Sequence, residues 1–142
     1  MQDNYHKTKQ QSALAPQDIS SNTTTNGANI DTTGWQAVLF LLMIGNYTDG
    51  DYDVTVQHAD DDGNGSPDTW ADVDDADLLP AGGAEAGAQL AAAGISKVGY
   101  RGEKKWVRIQ VDSTNVSTGA TAAAAAVLQS GRHLPFETQA IT

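Results

Sequence analysis

The stretch Trp35-Gln-Ala-Val-Leu-Phe-Leu-Leu-Met-Ile44 decides the fold of this chain. It is too short and too continuously apolar to be an amphipathic helix, and Gly34 and Gly45 bracket it. A short apolar run between turn residues is typical of a strand that is covered on both faces. We therefore predict a buried central strand here.

The segments that follow also have the pattern of strands. Residues 51–58 alternate apolar and polar side chains, which predicts a half-buried antiparallel strand. Shorter strands are expected at 69–73, 95–100 and 104–111, and the last two flank a turn at 101–103. This pair is predicted to be a hairpin with a solvated outer face.

Residues 120–128 present a conflict between two preferences. The alanines at 122–126 have the highest intrinsic helix propensity, whereas the threonine before them and the Val-Leu after them suit a strand. We predict a strand, because small side chains let a strand fit closely under a neighbouring sheet. The family resemblance described below also places a strand there.

Several short strands without a βαβ alternation predict an all-β protein, an antiparallel β-sandwich of the jelly-roll or immunoglobulin-like kind. We expect three parts: an extended N-terminal arm over 1–29, the sandwich domain over 30–135 and a C-terminal tail over 136–142. The polar arm has few large apolar residues, so alone it cannot offset its ordering entropy; we expect it to order against a neighbouring subunit, with a disordered tail over 1–10 as the alternative. Its expected anchors are Tyr5, Leu14 and Pro16.

Charge and composition exclude several classes of partner. The 18 acidic residues outnumber the 8 Lys and Arg, and the formal net charge is −10. Such a field repels nucleic-acid phosphates and anionic lipids, so we expect neither a nucleic-acid nor a membrane partner. The apolar run at 37–44 is also far shorter than the roughly 20 residues that span a bilayer. With no cysteine, disulfides and thiolate metal sites are excluded.

An acidic loop, residues 60–68, is the sharpest local signal for a ligand. The spacing of Asp60, Asp62, Asn64 and Asp68 resembles the calcium pattern Asp-x-Asp-x-Asn-Gly, which offers oxygen ligands between glycine turns. The full twelve-residue pattern fails, because its last position would be Ala71 and not Glu. A solvated hairpin loop has the same composition, and we expect no cofactor, with calcium as the alternative.

Nothing in the sequence predicts an enzyme. His6, His58 and His133 lie far apart, without metal-ligand spacing, and no Gly-x-Ser-x-Gly elbow is present. The carboxylates at 72–77 are crowded in one loop, which is typical of a solvated surface. We therefore expect no catalytic residues.

One basic cluster, residues 100–106, stands out in this acidic chain. Its Arg101, Lys104, Lys105 and Trp106 are candidates for contact with an acidic partner surface, with an outward-charged turn as the alternative. A second alternative is a sugar-binding platform. That platform would be formed by the three tryptophans, Trp35, Trp70 and Trp106.

The order of several motifs resembles that of small virion proteins of tailed phages. The motifs are Gly34-Trp-Gln-Ala-Val38, Tyr47-Thr-Asp-Gly-Asp-Tyr52, Gln57-His-Ala-Asp-Asp61, Trp70-Ala-Asp-Val73, Val98-Gly-Tyr-Arg-Gly-Glu-Lys-Lys-Trp-Val-Arg-Ile109, Thr118-Gly-Ala-Thr121 and Ala125-Ala-Val-Leu-Gln-Ser-Gly-Arg-His-Leu-Pro135. The similarity extends over about 30–135. The insertion at 63–67 and the long Ala and Gly connection at 80–94 depart from the pattern.

The resemblance implies a capsid decoration or cement protein on the outer surface of the virion. Its partners would be the major capsid protein and further copies of itself. A trimer would suit a three-fold lattice site, although no residue sets that number. The alternatives are a carbohydrate-binding or adhesion module on the virion surface, and a head-tail connector or tail component.

Overall fold

The computed structural model describes residues 3–79 and 90–129 of the chain, and these form a β-sandwich. Its strands are β1 (Lys9–Ile19), β2 (Thr23–Asn26), β3 (Ile30–Asp31), β4 (Ala37–Gly45), β5 (Asp51–Ala59), β6 (Ala71–Asp72), β7 (Leu78–Leu79), β8 (Gly94–Tyr100), β9 (Trp106–Thr114) and β10 (Ala120–Gln129). A single turn of 3-10 helix, Asp75–Asp77, precedes β7. No helix in the described residues is long and apolar enough to cross a membrane.

The strands form two antiparallel sheets. The first sheet has the order β1-β10-β4-β8-β7, and the second has the order β2-β9-β5-β6, with β3 also paired to β9. The chain changes sheet at most connections, including β1 to β2, β4 to β5, β8 to β9 and β9 to β10. Strands that cross between two sheets in this way are the mark of a jelly roll, so the strand order decides between the two sandwich types that we predicted.

The prediction that β8 and β9 form a hairpin is wrong, because the chain crosses between the sheets at this connection. β8 pairs with β4 and β7 in the first sheet, whereas β9 pairs with β5 in the second. Residues 101–105 therefore bridge the two sheets and do not form a hairpin turn. The alternation within β9 is confirmed, because Val107, Ile109 and Val111 are fully buried.

The core fills the space between the sheets. Each long strand sends alternate side chains inward, as the two-residue period of a strand requires. The largest fully buried side chains are Tyr52, Phe40, Ile30, Leu78, Ile109, Leu128, Val56, Val98, Val107 and Val111. Packing the two inner faces against each other is the main source of stability, since each large apolar side chain contributes roughly 1.5–3 kcal/mol on burial.

The alanine-rich segment is a strand, as predicted. In β10, the side chains of Ala122, Ala124 and Ala126 point into the core, and β10 lies between β1 and β4. Ala126 is paired directly with Phe40 of β4. Small residues therefore make room for large ones on the next strand, which outweighs the intrinsic helix propensity of alanine.

The segment predicted to be an arm supplies two strands of the sandwich. β1 pairs with β10 along most of its length, with irregular register around residues 13–16, and β2 pairs with β9. Leu14 is 3% exposed and lies in the core of its own chain. The polar composition predicted that one chain alone could not offset the entropy cost of ordering this segment. The backbone hydrogen bonds and the buried leucine do offset that cost. The predicted C-terminal tail, 136–142, lies outside the described residues.

β4 lies in the middle of the first sheet, but only one of its faces is buried. Val38, Phe40, Leu42 and Ile44 point into the core. The side chains on the other face are partly exposed, and Met43 reaches 39%. The prediction of a strand covered on both faces is therefore wrong for the described residues. No second layer of this chain's described residues packs over that face.

Candidate functional site

The basic cluster lies against the acidic loop. Lys104 donates its ammonium group to Asp60, and Lys105 Nζ lies 2.9 Å from Asp61 Oδ1. The indole Nε1 of Trp106 donates to the same Asp61 oxygen at 3.0 Å. The hydrogen bonds from Lys105 and Trp106 lower the pKa of Asp61 to about 2. The basic cluster and the acidic loop, which are separate in the sequence, are thus in direct contact in the fold.

Arg101 is held in the same region by a different contact. Its guanidinium donates from Nε and Nη2 to the backbone oxygen of Ala76, at 3.2 and 2.9 Å. Its own backbone N–H donates to Asp77 O at 3.0 Å. Arg101 therefore fastens the short 3-10 turn to the end of β8. A new partner would compete with these contacts for its donors.

The predicted arm anchors have three different environments. Tyr5 is 65% exposed and its ring meets His6 edge to face. Leu14 is buried, so it is not available to a neighbouring subunit. Pro16 is exposed in the irregular part of β1. Of the three, only Tyr5 and Pro16 present surface to a partner.

The acidic loop is folded as a hairpin that is held by hydrogen bonds within the loop. Asp62 Oδ1 accepts the backbone N–H of Asn64 at 2.7 Å and that of Ser66 at 3.1 Å. The backbone N–H of Asp68 donates to Asp60 O at 2.9 Å. Within residues 3–79 and 90–129, no group of three or more His, Asp or Glu side chains is gathered as a metal would require. Calcium binding by Asp60, Asp62, Asn64 and Asp68 stays a prediction.

The two histidines in the described residues, His6 and His58, do not come together. His58 Nδ1 lies 3.2 Å from the hydroxyl of Tyr100, and burial lowers the pKa of His58. His6 contacts the carboxylate of Asp3 at the other end of the described chain. His133 lies outside the described residues. The pair of His58 and Tyr100 joins β5 to β8 across the two sheets, which is a structural contact.

Two of the tryptophan rings are already covered by cations. The guanidinium of Arg108 lies 4.4 Å from the ring centre of Trp70, and Lys105 Nζ lies 5.4 Å from that of Trp106. A sugar ring would need those same aromatic faces. Trp35 packs partly against the core on a different part of the surface.

An open cleft of about 600 Å³ lies beside the basic cluster. Its walls are residues 32–36, residues 101–103 and Lys105. The volume is within the range of roughly 300–1,000 Å³ that small-molecule sites occupy. Trp35, Gln36 and Glu103 are the side chains in its wall that suit a polar ligand with one apolar face.

The outer face of the first sheet is the surface that sequence reasoning missed. Its apolar side chains are Leu39, Leu41 and Met43 on β4, Ala123, Ala125 and Val127 on β10, Ile95 on β8 and Leu79 on β7. Ile95 is 68% exposed and Leu79 is 44% exposed. The alternation of Leu39, Leu41 and Met43 is visible in the sequence, but the prediction of a strand covered on both faces assigns these residues to a second buried face.

Asp49 is a further residue that the sequence did not single out. Its Oδ1 accepts the backbone N–H groups of Gly119 at 2.8 Å and of Ser117 and Thr118 at 3.1 Å each. The hydrogen bonds from Gly119 and then Ser117 lower the pKa of Asp49. This carboxylate joins the β4–β5 turn to the β9–β10 turn at one end of the sandwich.

Comparison with known proteins identifies no family for this chain, so its fold is assigned from the strand order. No protein-family model and no curated protein matches this chain. A structure of infectious bursal disease virus, Gx strain, is 14% identical, with a TM-score of 0.48, and covers 91% of this chain and 34% of that one. The crystal structure of the infectious bursal disease virus VP2 subviral particle is 17% identical, with a TM-score of 0.28, and covers 92% and 41%. This chain thus spans well under half the length of either.

Proposed function

We propose that this chain is a structural protein of a virus particle, and that it binds the assembled capsid of a tailed phage as a decoration protein. The observation that carries the proposal is the outer face of the first sheet, which is broad, apolar and partly exposed. Surfaces of this kind mark sites that bind other proteins. The resemblance over about 30–135 supplies the class of particle.

The mechanism would be linkage between binding and assembly. A protein that binds the assembled lattice but not its separated subunits shifts the equilibrium toward the lattice. The effect is summed over many copies, so each contact can be weak. The partner would be the major capsid protein, at the outer surface of the head, and no catalytic step is involved.

The test is cosedimentation of the purified full chain with bare phage capsids. Saturable binding in many copies supports the proposal, one or a few copies per particle would indicate a connector or tail role, and no binding would refute it. The arm is tested with a chain that begins at Lys9. Removal of further residues would delete β1 and with it the buried Leu14.

A second candidate, glycan binding, is favoured by the cleft beside Trp35. A glycan array scored with the full chain would test it, and Trp35→Ala and Glu103→Ala should each remove the signal. Trp70→Ala is the matched control, because the Trp70 ring is covered by Arg108 and lies outside the cleft wall.

A further inference from the structure

The two outer faces of the sandwich have opposite character. On the second sheet, cross-strand hydrogen bonds link polar side chains: Gln110 to Asn26 at 2.8 Å, and Arg108 to Gln57 at 2.9 and 3.0 Å. Gln57 in turn donates to Asp72 at 2.9 Å. On the first sheet, the corresponding positions of β4 and β10 are aliphatic. Water therefore solvates one face well and the other poorly.

The apolar side chains of the first sheet are contiguous. The register places Leu39 beside Val127, Leu41 beside Ala125, and Met43 beside both Ala123 and Ile95. With strands about 4.8 Å apart and about 3.3 Å per residue, this patch covers roughly 350 Å² of the sheet plane. The largest apolar patch on a typical monomer is about 300–600 Å² and often has a function in binding.

The patch also has the shape to receive a copy of itself. Leu39, Leu41 and Met43 form a ridge along β4, while Ala123 and Ala125 form a shallow groove along the adjacent β10. A two-fold axis parallel to the strands, between β4 and β10, would place the ridge of each copy over the groove of the other. Such an interface is isologous and closes as a dimer, not as the trimer that a three-fold lattice site would suit.

Charge opposes a second copy least at this patch. The chain carries a net charge of −10, so two copies repel each other over most of their surfaces. Among the described residues that the register places level with Leu39, Leu41 and Met43, Lys97 is the one charged side chain. The two-fold axis would place Lys97 over Ser12 of the other copy and not over another lysine. Two copies can therefore meet here with the least electrostatic cost.

We infer that the outer face of the first sheet is a self-association surface on which a second copy of this chain packs about a two-fold axis. The area is roughly half of the ~800 Å² that each partner buries in a standard interface, so the dimer is weak and forms with rising concentration. The proposed function places the capsid on this same face, so the capsid and a second copy would compete for it, and the dimer would be the form of the chain that is free in solution. The test contains no capsid, so this inference and the proposed function can fail separately.

The experiment is sedimentation velocity of the full chain from about 5 µM to about 500 µM, in low and in high NaCl. We expect a shift from the monomer mass of 14.9 kDa toward twice that mass. The shift should occur at lower concentration in high salt, because screening weakens the repulsion between like charges. A monomer at every concentration, or dissociation by salt, would overturn the inference.

Three variants separate this geometry from a merely apolar surface. Leu41→Glu should raise the dimer Kd by more than about tenfold, because it buries a charge in the interface. Thr55→Glu adds the same charge to the outer face of the second sheet and should leave the Kd unchanged. Ala125→Leu should weaken the dimer by filling the groove, whereas stronger association would contradict ridge-and-groove packing. Circular dichroism of each variant checks that it is folded.

Discussion

A leucine placed at Ala126 should destabilise the chain far more than a leucine placed at Ala125, although the two positions are adjacent. Ala126 is fully buried and points toward the core, where the register pairs it with Phe40 on one side and Gln11 on the other. Ala125 points outward between Ser12 and Leu41. In a strand, neighbouring residues face opposite sides, so the same substitution tests two environments.

The magnitude follows from the space available at each site. Side chains directly opposite each other in antiparallel strands have Cβ atoms about 4.5–5.5 Å apart, and the Phe40 ring, 2% exposed, already occupies that space beside Ala126. Ala126→Leu forces extra carbon atoms into a packed core, which costs roughly 1–3 kcal/mol. Ala125→Leu adds them to a partly exposed face, where changes stay within about 0.5 kcal/mol.

The assay is thermal unfolding by circular dichroism at low protein concentration. For a chain of this size, 1 kcal/mol corresponds to about 4 °C, so Ala126→Leu should lower the Tm by about 4–12 °C and Ala125→Leu should change it by no more than about 2 °C. If Ala125→Leu unfolds earlier than Ala126→Leu, the assignment of β10 side chains to the two faces is refuted.

Gly119→Ala should destabilise the chain by more than about 2 kcal/mol, because Gly119 has a φ of +97° and a Cβ there would lie 1.9 Å from the Ile19 backbone oxygen. Gly34 has a φ of +85° and open space around it, so Gly34→Ala should cost only the backbone strain of about 1–2 kcal/mol. Urea unfolding measures the free energy of unfolding of both variants. Because the pKa of Asp61 is lowered to about 2, the stability it contributes is present above its ordinary pKa and is lost as the pH falls toward about 2. The Tm should therefore drop between about pH 4 and pH 2, and Asp61→Asn should make that drop smaller; an equal drop in the variant would show that other carboxylates are responsible. Removal of divalent cations with EDTA should leave the Tm unchanged. Loop 60–68 is already held by hydrogen bonds from its own backbone and by lysines. A fall in Tm on chelation would instead establish the calcium site.

Local patterns in the sequence predict the long strands that follow residue 35, whereas β1 and β2 lie in the segment predicted to be an arm. The alternation in 51–58, the apolar run at 37–44 and the small residues of 120–128 are local patterns, and strand periodicity depends only on neighbouring residues. These segments correspond to β5, β4 and β10. The fold class followed from the number of such segments and from the absence of a βαβ alternation.

The tertiary structure alone decided which strands share a sheet. β8 and β9 are consecutive and have suitable patterns for a hairpin, yet they belong to different sheets. Pairing is a contact between residues distant in sequence, and its energy depends on the partner as much as on the strand itself. For the same reason Leu14, in a polar segment, lies in the core because β10 lies beside it.

The candidate surfaces divide in the same way. The sequence identified the acidic loop and the basic cluster, but only the fold brings Asp61 within hydrogen-bonding distance of Lys105 and Trp106. The sequence also could not show that the outer side of β4 is partly exposed. An apolar residue in the sequence indicates that its side chain avoids water. Whether another element among the described residues covers that side chain depends on how the sheets assemble.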